Sequence, residues 1–337
     1  MKILVLSRAD VEQVIDLRRT IADVRDVYRM KTAGDTVVWP LVSHDFNEKN
    51  GIMDIRSGYV RGKSVHGLKM LNNFSGNQAK GLPNFTGMLM VFDSDTGIPM
   101  GVLDAALITC MRTGAAGALG ADLLAAPDAD SLLMVGAGNQ AAFLVGATLC
   151  LRPAVKRVLV HDPMSRENAE KAAAEFGARI ARDFGVDTGA VQFAAAPDLE
   201  AAVKASRIVI TATRSTKPLI KKEWVAPGTH FSCIGADAPG KEEIDPAIFK
   251  GARIFADDVD QCVRVGEMEL PIAQGVISRA DVAGEIGDLI AGTKSGRATE
   301  ADVTIFDATG LALLDLAVAK TVIGEARAKG IGLVADM

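Results

Sequence analysis

A short apolar run that leads into a glycine turn constrains the fold of this chain more than any other feature. Residues 133–135 have the pattern of a buried strand, residues 136–141 follow as G-x-G-x-x-A, and a helix pattern comes next. The first glycine lets the chain bend sharply, the second lets the backbone approach a phosphate, and the third small residue lets helix and strand pack closely. The turn therefore predicts a dinucleotide-binding α/β domain, although a plain strand–turn–helix connection would show the same glycines.

The turn after the next predicted strand bears on which dinucleotide is bound. The strand at 157–161 ends at Asp162, whose carboxylate would accept hydrogen bonds from the adenosine ribose hydroxyls and repel a 2′-phosphate. Arg166, close behind, would instead attract that phosphate. The sequence thus favours NAD and leaves NADP open. As a helix N-cap, Asp162 would need no nucleotide at all.

Composition narrows the class of protein. The 337 residues exceed the usual size of one domain and fit two, and the net charge of −5 without a basic block predicts no nucleic-acid partner. No apolar run reaches the roughly 18 residues that span a bilayer, and the first residues do not resemble a signal peptide. We therefore expect a cytoplasmic protein without a membrane anchor.

The cysteines and histidines give no sign of a disulfide framework or a metal site. The histidines are scattered, and the cysteines are far apart and in no C-x-x-C spacing, which predicts buried, reduced thiols. These cysteines are Cys110, Cys150, Cys233 and Cys262.

The first 120 residues have the pattern of a separate α+β unit. A helix capped at Ser7 is predicted to run to about Ala33, and the Ala/Gly-rich stretch 105–124 is predicted to form one helix with too little side-chain bulk to face only water. A hairpin turn is expected at Asp95-Thr96-Gly97. The strands predicted in between are 36–39, 51–55, 65–71, 86–93 and 100–103.

From about Asp128 onward, strand and helix patterns alternate, which predicts a doubly wound parallel sheet. A last helix, 310–329, follows the sheet and is expected to return to the first unit. Residues 1–120 with 311–337 are therefore predicted as one domain and 121–310 as the other. The predicted strands are 131–135, 157–161, 191–193, 208–211, 230–233, 253–256 and 303–306, and the predicted helices 140–151, 165–184 and 198–204.

Several segments in chain order carry a resemblance to one family. They are Gly67-Leu68-Lys69 with Gly81-Leu82-Pro83, then 93–99, 111–116, 135–140, 234–241 and 306–310. Together they resemble the ornithine cyclodeaminase and mu-crystallin family, with its archaeal-type alanine dehydrogenases and ketimine reductases. The resemblance implies a homodimer with an N-terminal substrate and dimerisation domain and a Rossmann domain for NAD(P). It also implies a small α-amino or α-imino acid as substrate.

The same resemblance implies roles for three charged residues. Lys69 lies in an apolar strand, where it must either extend to solvent or meet an anion. The resemblance implies that Lys69 binds the substrate carboxylate or polarises its imine or carbonyl. Arg112 would hold the carboxylate with both arms of its guanidinium. Asp237 would handle a proton as a catalytic residue, whereas its plainer interpretation is a turn-forming aspartate.

Cofactor contacts are expected mainly at the carboxyl ends of the strands. Lys241 would pair with Asp237 or reach the cofactor, and Asp307 and Gly310 would meet its nicotinamide side. Glu267 is interpreted as a solvated acid. The predicted cofactor-binding residues are Thr113, Gly136, Ala137, Gly138, Asn139, Gln140, Asp162, Arg166, Thr211, Ala212, Thr213, Asp237, Lys241, Asp307 and Gly310.

The chain also departs from the family pattern. Members commonly carry an arginine upstream of the lysine strand, and residues 36–43 contain none. Arg56 is the nearest candidate replacement as a substrate-binding residue. Ornithine-using members place a glutamate close to this point for the distal amine, and Asp54 is acidic with one carbon less reach. These departures leave the identity of the substrate open.

Three functions follow from the resemblance. The favoured one is an amino-acid dehydrogenase or imine reductase, because residues 255–258 and the loop around Asp237 resemble the alanine dehydrogenase branch more closely. The first alternative is an ornithine cyclodeaminase, which would recycle NAD while forming proline and ammonia. The second is a crystallin-like protein that binds a ligand without catalysis, which the presence of Lys69, Arg112 and Asp237 disfavours.

Overall fold

The chain divides into two units in the computed structural model, which describes residues 2–336. Unit 1 consists of Met1–Arg112 and Leu311–Met337, and unit 2 of Thr113–Gly310. The division falls inside a helix, between Arg112 and Thr113, and the predicted boundary after residue 120 lies farther along the same helix. The C-terminal segment, from Leu311 onward, groups with the N-terminal residues.

The elements are numbered in chain order. The strands are β1 (Lys2–Leu6), β2 (Thr36–Val38), β3 (Val42–Phe46), β4 (Gly51–Val60), β5 (Val65–Phe74), β6 (Phe85–Asp93), β7 (Pro99–Asp104), β8 (Ser131–Val135), β9 (Arg157–His161), β10 (Gln192–Ala195), β11 (Ile208–Thr211), β12 (Thr216–Ile220), β13 (His230–Cys233), β14 (Glu242–Ile244), β15 (Arg253–Ala256), β16 (Val282–Glu285), β17 (Thr304–Asp307) and β18 (Leu333–Asp336). The α-helices are α1 (Arg8–Glu12), α2 (Leu17–Thr32), α3 (Ala106–Leu124), α4 (Ala141–Leu151), α5 (Arg166–Phe184), α6 (Leu199–Lys204), α7 (Val259–Val265), α8 (Glu269–Ala273), α9 (Ile286–Ile290) and α10 (Ala312–Lys329). Short 3-10 helices lie at Asn47–Lys49, Arg61–Lys63, Gln78–Lys80, Lys222–Trp224, Pro246–Ile248 and Arg279–Asp281.

Unit 1 is built on a mostly antiparallel sheet with helix α10 packed on one face. The strand order is β18-β1-β7-β6-β5-β4-β2, with β3 also paired to β4 and β1 parallel to β7. Gly58 and Gly67 are register partners beneath the helix. A Cβ atom at Gly58 would lie 2.7 Å from Leu313, and one at Gly67 would lie 2.9 Å from Leu316. The two glycines therefore allow α10 to approach the sheet closely.

The opposite face of this sheet, here called the outer face, carries exposed apolar side chains. Met88 and Met90 alternate along β6 with Leu89 and Val91, which are fully buried on the α10 side. Met88 is 56% exposed and Met90 39%. Alternation along a strand places these methionines together on the face away from α10.

Unit 2 is the doubly wound parallel sheet predicted from the sequence, and the fold class is confirmed. Its strand order is β10-β9-β8-β11-β13-β17-β15-β16, with every neighbouring pair parallel. The order reverses between β8 and β11, which is where such sheets bind ligands at the carboxyl ends of their strands. In α3, a Cβ at Gly120 would lie 2.3 Å from Phe306, so the small residues there serve close packing.

Some predicted elements differ from the structure. The single helix predicted at 7–33 is two helices, because Asp16 caps the second by accepting a hydrogen bond from the Arg19 N–H. Ser7 does cap the first, in a capping box with Asp10. Strands such as β1 and β18 had no prediction, since they pair with each other across the whole chain and their local pattern is short.

The cysteines and the membrane prediction can be compared with the structure directly. None of the four cysteines, all of which lie within the described residues, forms a disulfide bond. Cys233 and Cys262 are buried as predicted, whereas Cys110 and Cys150 are partly exposed. Among the described helices, none is long and apolar enough to cross a membrane. Within residues 2–336, no group of histidine, cysteine and acidic side chains is arranged to hold a metal ion.

Candidate active site

Unit 1 brings Lys69 and Arg112 together on one carboxylate, that of Asp315. Lys69 Nζ donates to Asp315 Oδ2 at 2.7 Å, and Arg112 Nε donates to Oδ1 at 3.1 Å. The Thr109 hydroxyl lies between them, 3.4 Å from Lys69 Nζ and 3.3 Å from Asp315 Oδ1. Lys69 and Asp315 are both 0% exposed. Lys69 therefore does not extend to solvent. It meets an anion, which is the Asp315 carboxylate of the same chain.

Strand register and helix packing explain this arrangement. Lys69 is two residues after Gly67 on β5, so its side chain points to the same face, toward α10. The close approach of α10 at Gly67 brings Asp315 to the lysine. Arg56 on β4 lies directly opposite Lys69, and Asp54 is two residues away on that face, with Arg56 Nη2 3.8 Å from Asp54 Oδ2.

Burial and the neighbouring charges shift the ionisation of this cluster. Burial, with the positive charge of Arg112, lowers the pKa of Lys69 to about 7, although Asp315 opposes the shift. Burial disfavours ionised Asp315, but Arg112 and Lys69 outweigh it and lower the pKa of Asp315. The cluster therefore holds an ionised carboxylate beside an amine that exchanges a proton near neutral pH.

Asp315 and Thr109 were not predicted from the sequence. Asp315 is the single charged residue among the first eight residues of α10, and the other seven are apolar. A lone carboxylate in such a run must find a cation or a donor when the helix is buried. That signal points to a buried partner, but it does not identify Lys69.

In unit 2, the glycine turn has the geometry that close approach of a phosphate requires. Gly136 has φ of +104°, and a Cβ there would lie 2.6 Å from the Ala212 carbonyl oxygen. A Cβ at Gly138 would meet nothing within 4 Å, so its absence leaves open space. Gln140 Oε1 is buried and has no hydrogen-bond partner among the described residues. The open space at Gly138, just before the start of α4, fits a dinucleotide pyrophosphate.

The Asp162 carboxylate accepts hydrogen bonds from one backbone N–H group of the glycine turn and from two that follow Asp162 itself. Its Oδ2 accepts from Ala137 N at 2.9 Å, and its Oδ1 accepts from Met164 N and Ser165 N at 2.9 and 3.0 Å. The N-cap of α5 is Ser165, which accepts from Asn168 N. The alternative that Asp162 caps the helix is therefore wrong. Its carboxylate lies at the glycine turn, where a nucleotide ribose is expected.

Asp237 and Lys241 form an ion pair within the loop that follows β13. Lys241 Nζ lies 2.5 Å from Asp237 Oδ1 and 3.3 Å from the Gly235 carbonyl oxygen. The Asp237 side chain is 45% exposed, and the Gly240 N–H donates to Glu269. The loop thus presents an accessible carboxylate held by a lysine, which is compatible with the predicted proton-handling role.

Two buried glutamates brace the loops at this edge of the sheet. Glu243 Oε1 accepts from Thr213 N at 2.6 Å, and Oε2 accepts from Gly235 N at 2.9 Å. Glu267 Oε1 in turn accepts from the N–H groups of Glu243 and Ile244 at 2.6 and 2.7 Å. Glu267 is buried, so its interpretation as a solvated acid was wrong. The two backbone N–H groups partly offset the loss of hydration that burial causes.

These acids bind protons more tightly than usual. Burial raises the pKa of Glu243, and raises that of Glu267 well above its ordinary value because the charge of Glu243 adds to the effect. Asp307 is also fully buried, accepts from Met268 N at 3.0 Å, and has its pKa raised by burial to about 8. The Asp307 carboxylate forms its hydrogen bond inside unit 2, and its full burial disfavours the predicted contact with a cofactor.

The remaining predicted cofactor residues lie in different elements of unit 2: Thr113 in α3, Arg166 at the start of α5, Thr211 at the end of β11, and Asn139 and Gly310 in loops. Thr113 and Thr211 are buried, Gly310 has φ of +84°, and the Gly310 N–H donates to Asp257 at 2.7 Å. Arg166 is exposed and pairs with Glu170 one turn later on α5. Asn139 is exposed in the glycine turn.

Comparisons with known proteins place this geometry in a family. The family model described as the ornithine cyclodeaminase/mu-crystallin family matches residues 1–330. An alanine dehydrogenase of Archaeoglobus fulgidus is 36% identical over 98% of each chain. A Delta(1)-pyrroline-2-carboxylate reductase of Paracoccus denitrificans is 37% identical over 80% of this chain and 82% of that protein.

A solved structure agrees with both sequence comparisons. An archaeal alanine dehydrogenase dimer with bound NAD matches with a TM-score of 0.91 at 34% identity, over 100% of each chain. The resemblance seen in the sequence motifs is therefore confirmed over almost the whole chain: this protein belongs to the ornithine cyclodeaminase/mu-crystallin family.

Proposed function

We propose that this protein is an NAD-dependent oxidoreductase that transfers a hydride at the α-carbon of a small amino acid or its imine. It would act as an imine reductase or amino-acid dehydrogenase. The observation that carries the proposal is the burial of Lys69 and Arg112 together on Asp315. Burying two basic groups costs free energy that anionic partners offset, and a substrate carboxylate would be such a partner beside Asp315. Relatives named for alanine and pyrroline-2-carboxylate act on substrates that carry such an anion.

Arg112 and Lys69 would divide the work on the substrate. Arg112 uses Nε for Asp315, so the outer nitrogens of its guanidinium can bind a substrate carboxylate. Lys69, with its pKa lowered to about 7 chiefly by burial, can donate a proton to the substrate nitrogen or carbonyl oxygen, or accept one in the reverse direction. Asp237 would handle a further proton from its loop.

The charges around Lys69 fit a substrate that carries a carboxylate. Arg56, Lys69 and Arg112 are basic, and Asp54 and Asp315 are acidic. A substrate carboxylate would meet basic partners in this largely buried site, as a buried anion requires.

The cofactor would lie along the glycine turn of unit 2, with its pyrophosphate at Gly136–Gly138 and its adenosine ribose at Asp162. When bound, NAD supplies the hydride acceptor or donor. Asp162 favours NAD over NADP because a 2′-phosphate would lie against its charge. Replacing Asp162 with serine should increase the use of NADPH relative to NADH, measured as the ratio of kcat/KM values.

Ornithine cyclodeaminase is the second candidate, and one observation favours it. Asp54 Oδ1 is buried and has no hydrogen-bond partner among the described residues. It could accept a hydrogen bond from the distal amine of a diamino acid, although Arg56 lies beside it and would repel that amine.

Two assays separate the candidates. The purified protein is given NADH with Delta(1)-pyrroline-2-carboxylate, or with pyruvate and ammonium, and the loss of NADH absorbance is followed. It is also given L-ornithine with NAD, and ammonia and proline are measured. The redox proposal expects NADH consumption and no ammonia from ornithine. Ammonia and proline without net NADH change would replace it with the cyclodeaminase, and no turnover in either assay would reject both.

We also propose that the protein is a homodimer through the outer face of unit 1. Exposed Met88 and Met90 form an apolar surface of the kind that a second copy would cover. Replacing both with lysine should yield monomers by light scattering. The same change at Met164, which is 90% exposed in unit 2, is the matched control and should leave the mass unchanged.

A further inference from the structure

We propose that Asp315 is a positioning residue of the active site, which aligns Lys69 with Arg112 and keeps Lys69 able to carry a proton. This inference rests on the proposed function and goes beyond it, because it assigns a role to a residue that would touch neither substrate nor cofactor. Asp315 holds both cations at hydrogen-bond distance, one on each carboxylate oxygen.

The geometry explains why one carboxylate can do this. Its two oxygens are used separately, so Lys69 Nζ and Arg112 Nε are fixed side by side. Each cation gives Asp315 only part of its hydrogen-bonding capacity: Lys69 has further N–H groups, and Arg112 keeps its outer nitrogens. Thr109 closes the arrangement, since its hydroxyl can accept from Lys69 and donate to Asp315.

The surrounding charges show that Asp315 is needed for more than alignment. Lys69 faces Arg112 from α3 and Arg56 from β4, and both positive charges disfavour a protonated lysine. Burial acts in the same direction. Asp315, from α10, is the counter-charge that opposes them. Asp54, on the same sheet face as Arg56, contributes the other negative charge of this region.

Removing the charge of Asp315 should therefore lower the pKa of Lys69 further. An opposite charge at this distance usually shifts a pKa by about 1–3 units. When Lys69 acts as the proton donor in reduction, kcat/KM falls as the pH rises through its pKa. In the Asp315→Asn variant, which keeps the size of the side chain, this fall should occur at lower pH by about 1–3 units.

The test compares Asp315→Asn with the wild type and with Glu325→Gln. Glu325 is also on α10, but its carboxylate pairs with Arg19 at the surface, so its variant should keep the wild-type pH profile. A shift in Asp315→Asn alone supports the proposal. An unchanged profile in a folded, active Asp315→Asn overturns it. A loss of activity equal at every pH also overturns it, since a purely structural role predicts that result.

A second measurement does not depend on turnover. The 13Cε resonance of Lys69 in lysine-labelled protein, assigned with Lys69→Arg, reports its ionisation directly. We expect a midpoint near neutral pH in the wild type and a lower midpoint in Asp315→Asn. Thr109→Val replaces the bridging hydroxyl with a methyl group and should lower the Lys69 midpoint by a smaller amount. This variant provides the test if Asp315→Asn does not fold. Equal midpoints in the variants and the wild type would overturn the proposal, even if the redox activity is found. A shifted midpoint without redox activity would reject only the proposed function.

Discussion

Unit 1 and unit 2 each contain a cluster of buried ionisable side chains, but the two clusters are built on opposite principles. In unit 1, Lys69, Arg112 and Asp315 are of opposite sign and bond to one another. In unit 2, Glu243, Glu267 and Asp307 are all acids, and each accepts hydrogen bonds from backbone N–H groups.

The difference is visible in the direction of the pKa shifts. In unit 1 the neighbouring cations lower the pKa of Asp315 in spite of its burial. In unit 2 burial raises the pKa of Glu243, Glu267 and Asp307, and neighbouring acids add to the effect at Glu267 and Asp307. Burial alone therefore does not decide the charge of a group. The sign of its partners does, and we read the first cluster as a binding site and the second as a brace.

The largest effect is expected from breaking the charge-paired cluster at Lys69. Lys69→Met keeps an apolar side chain of similar length but removes the proton donor and one cation. Loss of a general acid typically lowers turnover by about 100- to 10,000-fold. The rate of NADH oxidation measures it. Lys49→Met, at an exposed lysine of the same unit, is the control. Turnover near the wild-type level would remove Lys69 from the mechanism.

The next effect concerns Glu243, which uses both carboxylate oxygens as acceptors. In Glu243→Gln, one position presents an amide N–H to a backbone N–H, so a buried donor is left unsatisfied. The expected loss is about 1–3 kcal/mol of unfolding free energy, measured by urea denaturation. Because the loops at Thr213 and Gly235 are then less firmly held, the KM for NADH should also rise. A variant as stable as the wild type would contradict the bracing role.

A pH-dependent effect is expected at Asp307. Its pKa is 3.8 ordinarily and about 8 in the folded protein. Between these values the folded state binds more protons than the unfolded state, so this group makes stability fall as pH rises. Asp307→Asn should remove that part of the slope. The difference in Tm between variant and wild type should therefore change steadily from pH 4 to pH 8. Each kcal/mol of difference in unfolding free energy corresponds to a Tm difference of roughly 2–4 °C. A constant difference would show that Asp307 does not titrate in this range.

Lys69 gives the opposite slope and so sharpens the comparison. Its pKa falls from 10.5 to about 7, so between these values the unfolded state binds more protons and stability rises with pH. The two clusters should thus be distinguished in one set of Tm measurements. The Lys69 variant changes the slope above pH 7, and the Asp307 variant changes it below pH 8.

The smallest effect is expected for Glu267→Gln. Glu267 uses one oxygen for two backbone N–H groups, while Oε2 is buried without a hydrogen-bond partner among the described residues. Burial and the charge of Glu243 raise the pKa of Glu267 well above its ordinary value, which favours the protonated form that glutamine resembles. We expect a change within about 0.5 kcal/mol at pH 7. A loss comparable to that of Glu243→Gln would show that Glu267 is ionised.

Much of unit 2 could be predicted because its signals are local. Gly136 and Gly138 sit within one turn, Asp162 follows the next strand, and the alternation of strands and helices fixes a parallel sheet. The Glu267 prediction failed because a loop position looks solvated from its neighbours. Its backbone partners at Glu243 and Ile244 lie in another segment of the chain.

The sequence by itself determined the family, the sheet of unit 2, and the importance of Lys69 and Arg112. These depend on short patterns whose meaning is the same wherever they occur. Only the tertiary structure decided what Lys69 meets. Asp315 is 246 positions away, and the contact exists because Gly67 lets α10 approach the sheet. Whether a charged side chain is solvated, paired or protonated depends on what packs around it, and no local pattern records that.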